Sequence, residues 1–93
     1  MEALTRRMRR AYMKHRNEAG RRGVEFLFTW EEWRDWWLTD GRWSRRGTVH
    51  GAAALVMGRH GDTGPYAVYN VYPATVAENN RDADRFRAER MAA

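Results

Sequence analysis

The chain has 93 residues, 17 Lys+Arg against 12 Asp+Glu, a formal net charge of +5 and no cysteine. A domain of this length buries only about 60% of its unfolded surface, so a single compact domain spanning residues 1–93 needs a dense core. The lack of cysteine excludes a disulfide framework, a thiolate metal site and a cysteine nucleophile. No apolar run approaches the roughly 20 residues of a membrane span, and no apolar segment follows the basic start as in a secretory signal, so a soluble intracellular protein is expected.

Residues 2–19 are expected to form a helix. Leu4, Met8, Tyr12 and Ala19 share a face, Ala11 and His15 lie beside it, and Gly20 or Gly23 supplies the stop. Glu25 to Phe28 reads as a short extended link. Thr29 and Glu32 then form a capping box, and Phe28 and Trp33 occupy the places of a hydrophobic staple. The helix that follows is expected to reach about Thr39 and to end at Asp40-Gly41. Trp30, Trp33 and Trp37 share its inner face; Trp36 widens the stripe and is the candidate for contact with a protein partner.

Residues 42–51 read as a basic, glycine-punctuated loop, and residues 52–60 as a strand in which the alanines keep helix open. Gly61 to Pro65 is a turn-rich link. Tyr66 to Tyr72 alternates in the manner of a second strand, with Pro73 as its end. Thr75 and Glu78 form a second capping box, opening a last helix with Val76, Asn80, Ala83 and Phe86 to Arg87 along one side. Its acids lead and its bases follow, as the helix dipole favours. The expected class is α+β: a basic N-terminal helix (1–23), then a core (24–93) of Trp-rich helix, β-hairpin and C-terminal helix.

The charge is unevenly placed. Residues 1–23 carry eight bases (Arg6, Arg7, Arg9, Arg10, Lys14, Arg16, Arg21, Arg22) and two acids, a net of +6, whereas residues 24–93 carry nine bases and ten acids. Arg42, Arg45, Arg46 and Arg59 form a second cluster in a stretch, 41–60, that has no acid. Arginine's planar fork suits phosphate. Arg6, Arg7, Arg9, Arg10, Lys14, Arg42, Arg45, Arg46 and Arg59 are therefore the candidate nucleic-acid contacts.

The stretch Asn70-Val71-Tyr72-Pro73-Ala74-Thr75-Val76-Ala77-Glu78-Asn79 resembles the second half of the HNH endonuclease motif, as it stands in small phage-encoded members. Gly58-Arg59-His60-Gly61-Asp62 through Gly64-Pro65-Tyr66 and the Phe28 to Trp33 helix start are similar to those members as well, so the likeness covers roughly residues 28–82. It implies a ββα unit and a bacterial host cytoplasm. It also implies that His60 is the general base, that Asn70 orients it, and that Asn79 helps hold one divalent metal on the scissile phosphate.

The sequence departs from that pattern at one place. Arg59 stands where the family has an Asp or His ligand, and an arginine cannot ligate a metal. Asp62 is the candidate substitute. A neutral Asn79 alone is a poor ligand set, so no metal and no cofactor is expected unless the site is active. His15 and His50 have no paired ligand at metal spacing.

Three functions are carried forward: a DNA-associated protein without metal-dependent cleavage, an active HNH nicking endonuclease, and a phage-encoded inhibitor of a host protein complex, of the anti-CRISPR kind. No membrane partner is expected. Nothing in the sequence fixes the oligomeric state, though a homodimer would enlarge the small core.

Overall fold

The computed structural model describes residues 2–92. Helix α1 spans Glu2–Arg21, α2 Trp30–Leu38 and α3 Val76–Ala92, and strands β1 (Leu55–Arg59) and β2 (Val71–Thr75) form an antiparallel pair. Turns of 3-10 helix fill Thr39–Arg45, Thr48–Ala53, His60–Asp62 and Val68–Asn70. The class is α+β, with a two-stranded sheet followed directly by the C-terminal helix.

Helix α1 ends where its left-handed glycine stands. Gly23 has φ +71°, and Val24 N–H reaches Ala19 O at 2.9 Å while Gly23 N–H reaches Gly20 O at 3.1 Å. This pair of bonds closes the last orphan carbonyls of the helix. Gly20, the other expected stop, stays within the helix.

Both capping boxes form. Thr29 N–H donates to Glu32 Oε1 at 2.9 Å and Glu32 N–H to Thr29 Oγ1 at 3.2 Å; Thr75 and Glu78 repeat the pattern at 2.9 and 3.1 Å. Asp40 and Gly41, both left-handed at φ 52° and 68°, close off α2 as expected.

The core joins three parts of the chain. Met8, Tyr12 and Ala19 of α1 pack with Phe28, Trp33 and Trp37, and with Leu55, Met57, Tyr66 and Val71. The basic helix is thus built into the domain by its apolar face. Tyr12 meets Phe26, Trp30 and Trp33 edge-on, at ring distances of 5.5 to 5.8 Å. Its buried hydroxyl donates to Phe28 O at 2.8 Å, so a large ring is buried without an orphaned polar atom.

The second strand differs from its expected position. Residues 66–72 do not form one strand: Tyr66 makes a lone parallel bridge to Phe26, Val68–Asn70 is a turn, and pairing begins at Val71. Pro73 lies inside β2, opposite Met57, rather than ending it. A proline is tolerated there because a two-stranded sheet has a free edge on each strand, where a missing N–H costs no ladder bond. On the first strand, Ala52 and Ala53 belong to the preceding turn and pairing begins at Leu55. On α3, Asn80 is exposed; Val76, Asn79, Asp82, Ala83 and Phe86 are the partly covered residues.

Candidate functional site

The sheet and α3 present two layers of polar chemistry. Alternation along β1 sends Val56 and Gly58 to the side of α3, with Tyr72 opposite Gly58 on β2. Gly58 is buried because the space where its Cβ would stand is filled. An ideal Cβ there would meet Tyr72 Cζ at 3.0 Å and Asn79 Oδ1 at 3.2 Å. The missing side chain is therefore what lets Tyr72 and Asn79 lie close over the strand. His60, just past β1, stacks on Tyr72 with rings 5.0 Å apart and 29° from parallel. Tyr72 donates its hydroxyl to Asp82 Oδ2 at 3.0 Å. Burial and the Asp82 carboxylate push the Tyr72 phenol above its usual pKa, so it stays a donor at neutral pH.

Asn70 works one step away from this cluster. Its Nδ2 donates to Thr63 O at 2.8 Å and Pro65 O at 2.9 Å, which ties down the loop after β1. That loop carries Gly61, Asp62 and Gly64 at positive φ (67°, 53° and 77°). The resemblance assigns Asn70 to orienting His60; here both bonds of the amide go to the backbone of the loop that follows His60. The structure thus brings His60 and Asn79 to one face around Tyr72, and uses Asn70 to shape the chain next to them.

Arg59 supports the same loop. Its guanidinium donates to Gly64 O at 2.7 Å, stands 3.5 Å from Asp62 Oδ1 and lies 5.2 Å over the Tyr66 ring; the side chain is only 12% exposed. Asp62 is therefore engaged with Arg59, and Asn79 offers a neutral amide. No group of three His, Cys, Asp or Glu side chains gathers in metal-holding geometry among the described residues. The donors around His60 do not fit a divalent cation, which needs anionic oxygens undisputed by a guanidinium. What the arrangement offers is an exposed imidazole beside a tyrosine, with a rigid loop behind it.

The other candidate bases divide into two sets. On α1, Arg6, Arg7, Arg9, Arg10, Lys14 and Arg16 are all exposed, and none has a carboxylate within ion-pair distance among the described residues. Helical geometry puts Arg6, Arg10 and Arg21 on the ridge opposite the core, with Arg7 and Lys14 on one flank and Arg9 and Arg16 on the other. Arg9 lies 5.2 Å over Trp30. The second cluster is largely spent within the fold. Arg42 covers Trp36 at 4.5 Å and donates to Trp36 O at 3.1 Å, and Arg46 packs at 5.2 to 6.0 Å over Trp33, Trp37 and Trp43. Arg45 alone of Arg42, Arg45, Arg46 and Arg59 is exposed.

The Trp stripe packs on the core. Trp33 and Trp37 are buried, and Trp30, Trp36 and Trp43 are partly buried. Trp36 meets Trp37 edge-on at 4.9 Å and has the Arg42 guanidinium over its ring, while the rest of the side chain stays partly exposed.

Comparison with known protein families, curated proteins and solved structures found no match.

Sequence reasoning passed over His15. Trp33 Nε1–H donates to its Nδ1 at 3.1 Å, and the ring meets Tyr66 edge-on at 4.4 Å and Phe26 at 5.1 Å. Burial first, then the charges of Arg46 and Arg22, push its pKa down from 6.5 to about 4. The imidazole is thus neutral at pH 7, with its proton on Nε2. The signal in the sequence was its place on the apolar face of α1, beside Tyr12 and Ala19.

Proposed function

We propose that this chain is a DNA-associated protein on an HNH-like scaffold, which holds the phosphate backbone through the outer faces of α1 and does not cleave it through a divalent metal. The observation that carries this reading is the row of exposed, unpaired bases on a helix whose inner face is locked in the core. A helix rises 1.5 Å per residue, so Arg6 to Arg21 covers roughly 22 Å. That is enough to reach phosphates on both sides of a major groove about 12 Å wide. Phosphate contacts of this kind give affinity and register without sequence readout. The donor set around His60 supports the second half of the proposal, since Arg59 takes up Asp62.

Two assays test it. Fluorescence anisotropy with a short labelled duplex is expected to show binding at about 50 mM salt that falls by roughly 10³-fold at 200 mM if six phosphates are held. Absence of binding at the lower salt overturns the proposal. Supercoiled plasmid incubated with Mg²⁺, Mn²⁺ or Ni²⁺ is expected to stay supercoiled. Nicking that disappears in His60→Ala would assign the chain to the active enzymes instead.

A further inference from the structure

An open groove of about 640 Å³ lies between α1, β1, the turn at 46–51 and the start of α3, and shares Asn79 with the cluster around Tyr72. Its volume falls in the range of small-molecule sites, roughly 300–1,000 Å³. Lys14, His15 and Glu18 line it from α1, Arg22 from the turn that follows, Arg46 and Trp37 from the Trp-rich side, and Leu55 and Met57 from β1.

Four observations point to the chemistry of a ligand. First, Trp37 is only 2% exposed and its Nε1–H has no hydrogen-bond partner, the one such buried side-chain atom among the described residues. A buried donor left unpaired carries an unrelieved desolvation penalty, so a group that accepts from it is favoured. Second, Arg46 is half-buried against three indoles, with no carboxylate in ion-pair distance among the described residues. Its burial depresses its pKa and the distant Glu18 only offsets this in part, yet an arginine stays charged at neutral pH. Third, His15 Nδ1 is occupied by Trp33, which leaves an Nε2–H donor on a groove-lining ring. Fourth, Lys14, Arg22 and Arg46 set against Glu18 give the lining a charge of +2, since His15 is neutral.

We propose that this groove binds the phosphate monoester of a nucleotide-sized ligand, with the dianion held by Arg46, Lys14 and Arg22 and an oxygen accepting from the Trp37 indole N–H. A phosphate monoester carries close to two negative charges at neutral pH, which matches the lining. Guanidinium groups bind it bidentately. The groove is much larger than a phosphate, and the mostly buried Leu55, Met57 and Tyr66, whose hydroxyl accepts from Arg22 at 2.9 Å, form an apolar floor against which a base would lie. This inference does not rest on DNA binding by α1: Arg6, Arg7 and Arg10 take no part in the groove.

The experiment is a titration of the full ¹⁵N-labelled chain followed through the Trp37 indole N–H resonance. Adenosine monophosphate is expected to move that resonance saturably, and adenosine to leave it in place. Arg46→Gln is expected to weaken binding roughly tenfold and Lys14→Gln, an exposed change that spares the core, about threefold. The triple variant Arg6→Gln/Arg7→Gln/Arg10→Gln is expected to bind the nucleotide as the parent does. A 5′-phosphorylated oligonucleotide and the same oligonucleotide with a 5′-hydroxyl separate the two sources of the phosphate. A shift only with the phosphorylated form assigns a nucleic-acid end, and a shift only with the monophosphate assigns a free nucleotide. An unmoved Trp37 resonance, equal shifts with adenosine and its monophosphate, or unchanged binding in Lys14→Gln and Arg46→Gln alike would overturn the proposal.

Discussion

Asn70, Gly58 and His15 show how single side chains set the geometry. Asn70 satisfies two loop carbonyls with one amide nitrogen. Asn70→Ala is expected to cost about 1–3 kcal/mol in urea unfolding. Asn70→Asp is expected to cost more, because a carboxylate oxygen would face those carbonyls; equal stability of the two variants would contradict the contact. Gly58→Ala drives a methyl into Tyr72 and Asn79 and is expected to cost roughly 1–3 kcal/mol. It should also disturb the His60 resonances through the stacked Tyr72 ring.

His15 predicts a pH dependence. Its folded pKa of about 4 lies below the unfolded 6.5. The unfolded chain therefore binds the extra proton first, and stability is lost as the pH falls from 6.5 toward 4, by up to about 1.4 kcal/mol per unit crossed. Arg46 and Arg22 beside the ring oppose its protonation, and Lys14 and Glu18 share the same lining. Thermal melts at intervals across that range should flatten in His15→Gln, which keeps an acceptor for Trp33; an unchanged slope would show that other groups carry it.

At the scale of elements, what the sequence makes legible is what is decided within a turn or two of the chain. The boxes Thr29–Glu32 and Thr75–Glu78 bond across three residues, and both form as read. Thr29→Ala and Thr75→Ala are each expected to lower stability by about 1 kcal/mol, the latter with fraying of α3 in amide exchange. The inner faces of α1 and α2 were legible for the same reason, because a period of 3.6 leaves one apolar stripe.

The second strand was misplaced because alternation between Tyr66 and Tyr72 is equally compatible with a bridge, a turn and a strand in succession. The decision is made by Asn70, which pins the turn to residues five and seven positions away in sequence. The fates of the arginines were hidden too. Nothing local distinguishes Arg45, left in solvent, from Arg46, folded over three indoles. The groove donors, Trp37 and His15, read as core and nothing more. The bond from Trp33 to His15 and the lack of a partner for the Trp37 N–H are properties of the packed domain.

At the scale of the whole molecule, the net charge of +5 resolves into separate surfaces. The outer faces of α1 carry free bases, the second arginine cluster is mostly internal bracing, and the groove behind Trp37 gathers three cations around one acid. Among the described residues, no helix is long and apolar enough to cross a membrane. The likeness to the HNH motif lies in the β1–loop–β2–α3 unit, while the free charge lies on α1, at the other end of the chain.

DNA binding is proposed to run through α1, and the salt dependence of duplex affinity in the triple variant Arg6→Gln/Arg7→Gln/Arg10→Gln tests this. Each phosphate contact contributes about −0.9 to the slope of log affinity against log salt. Loss of three contacts is expected to make the slope shallower by roughly 2–3 and to weaken binding at low salt for every duplex sequence alike. The three side chains are exposed, so the melting temperature should stay close to that of the parent. A variant that keeps the parent's affinity and slope would contradict the account.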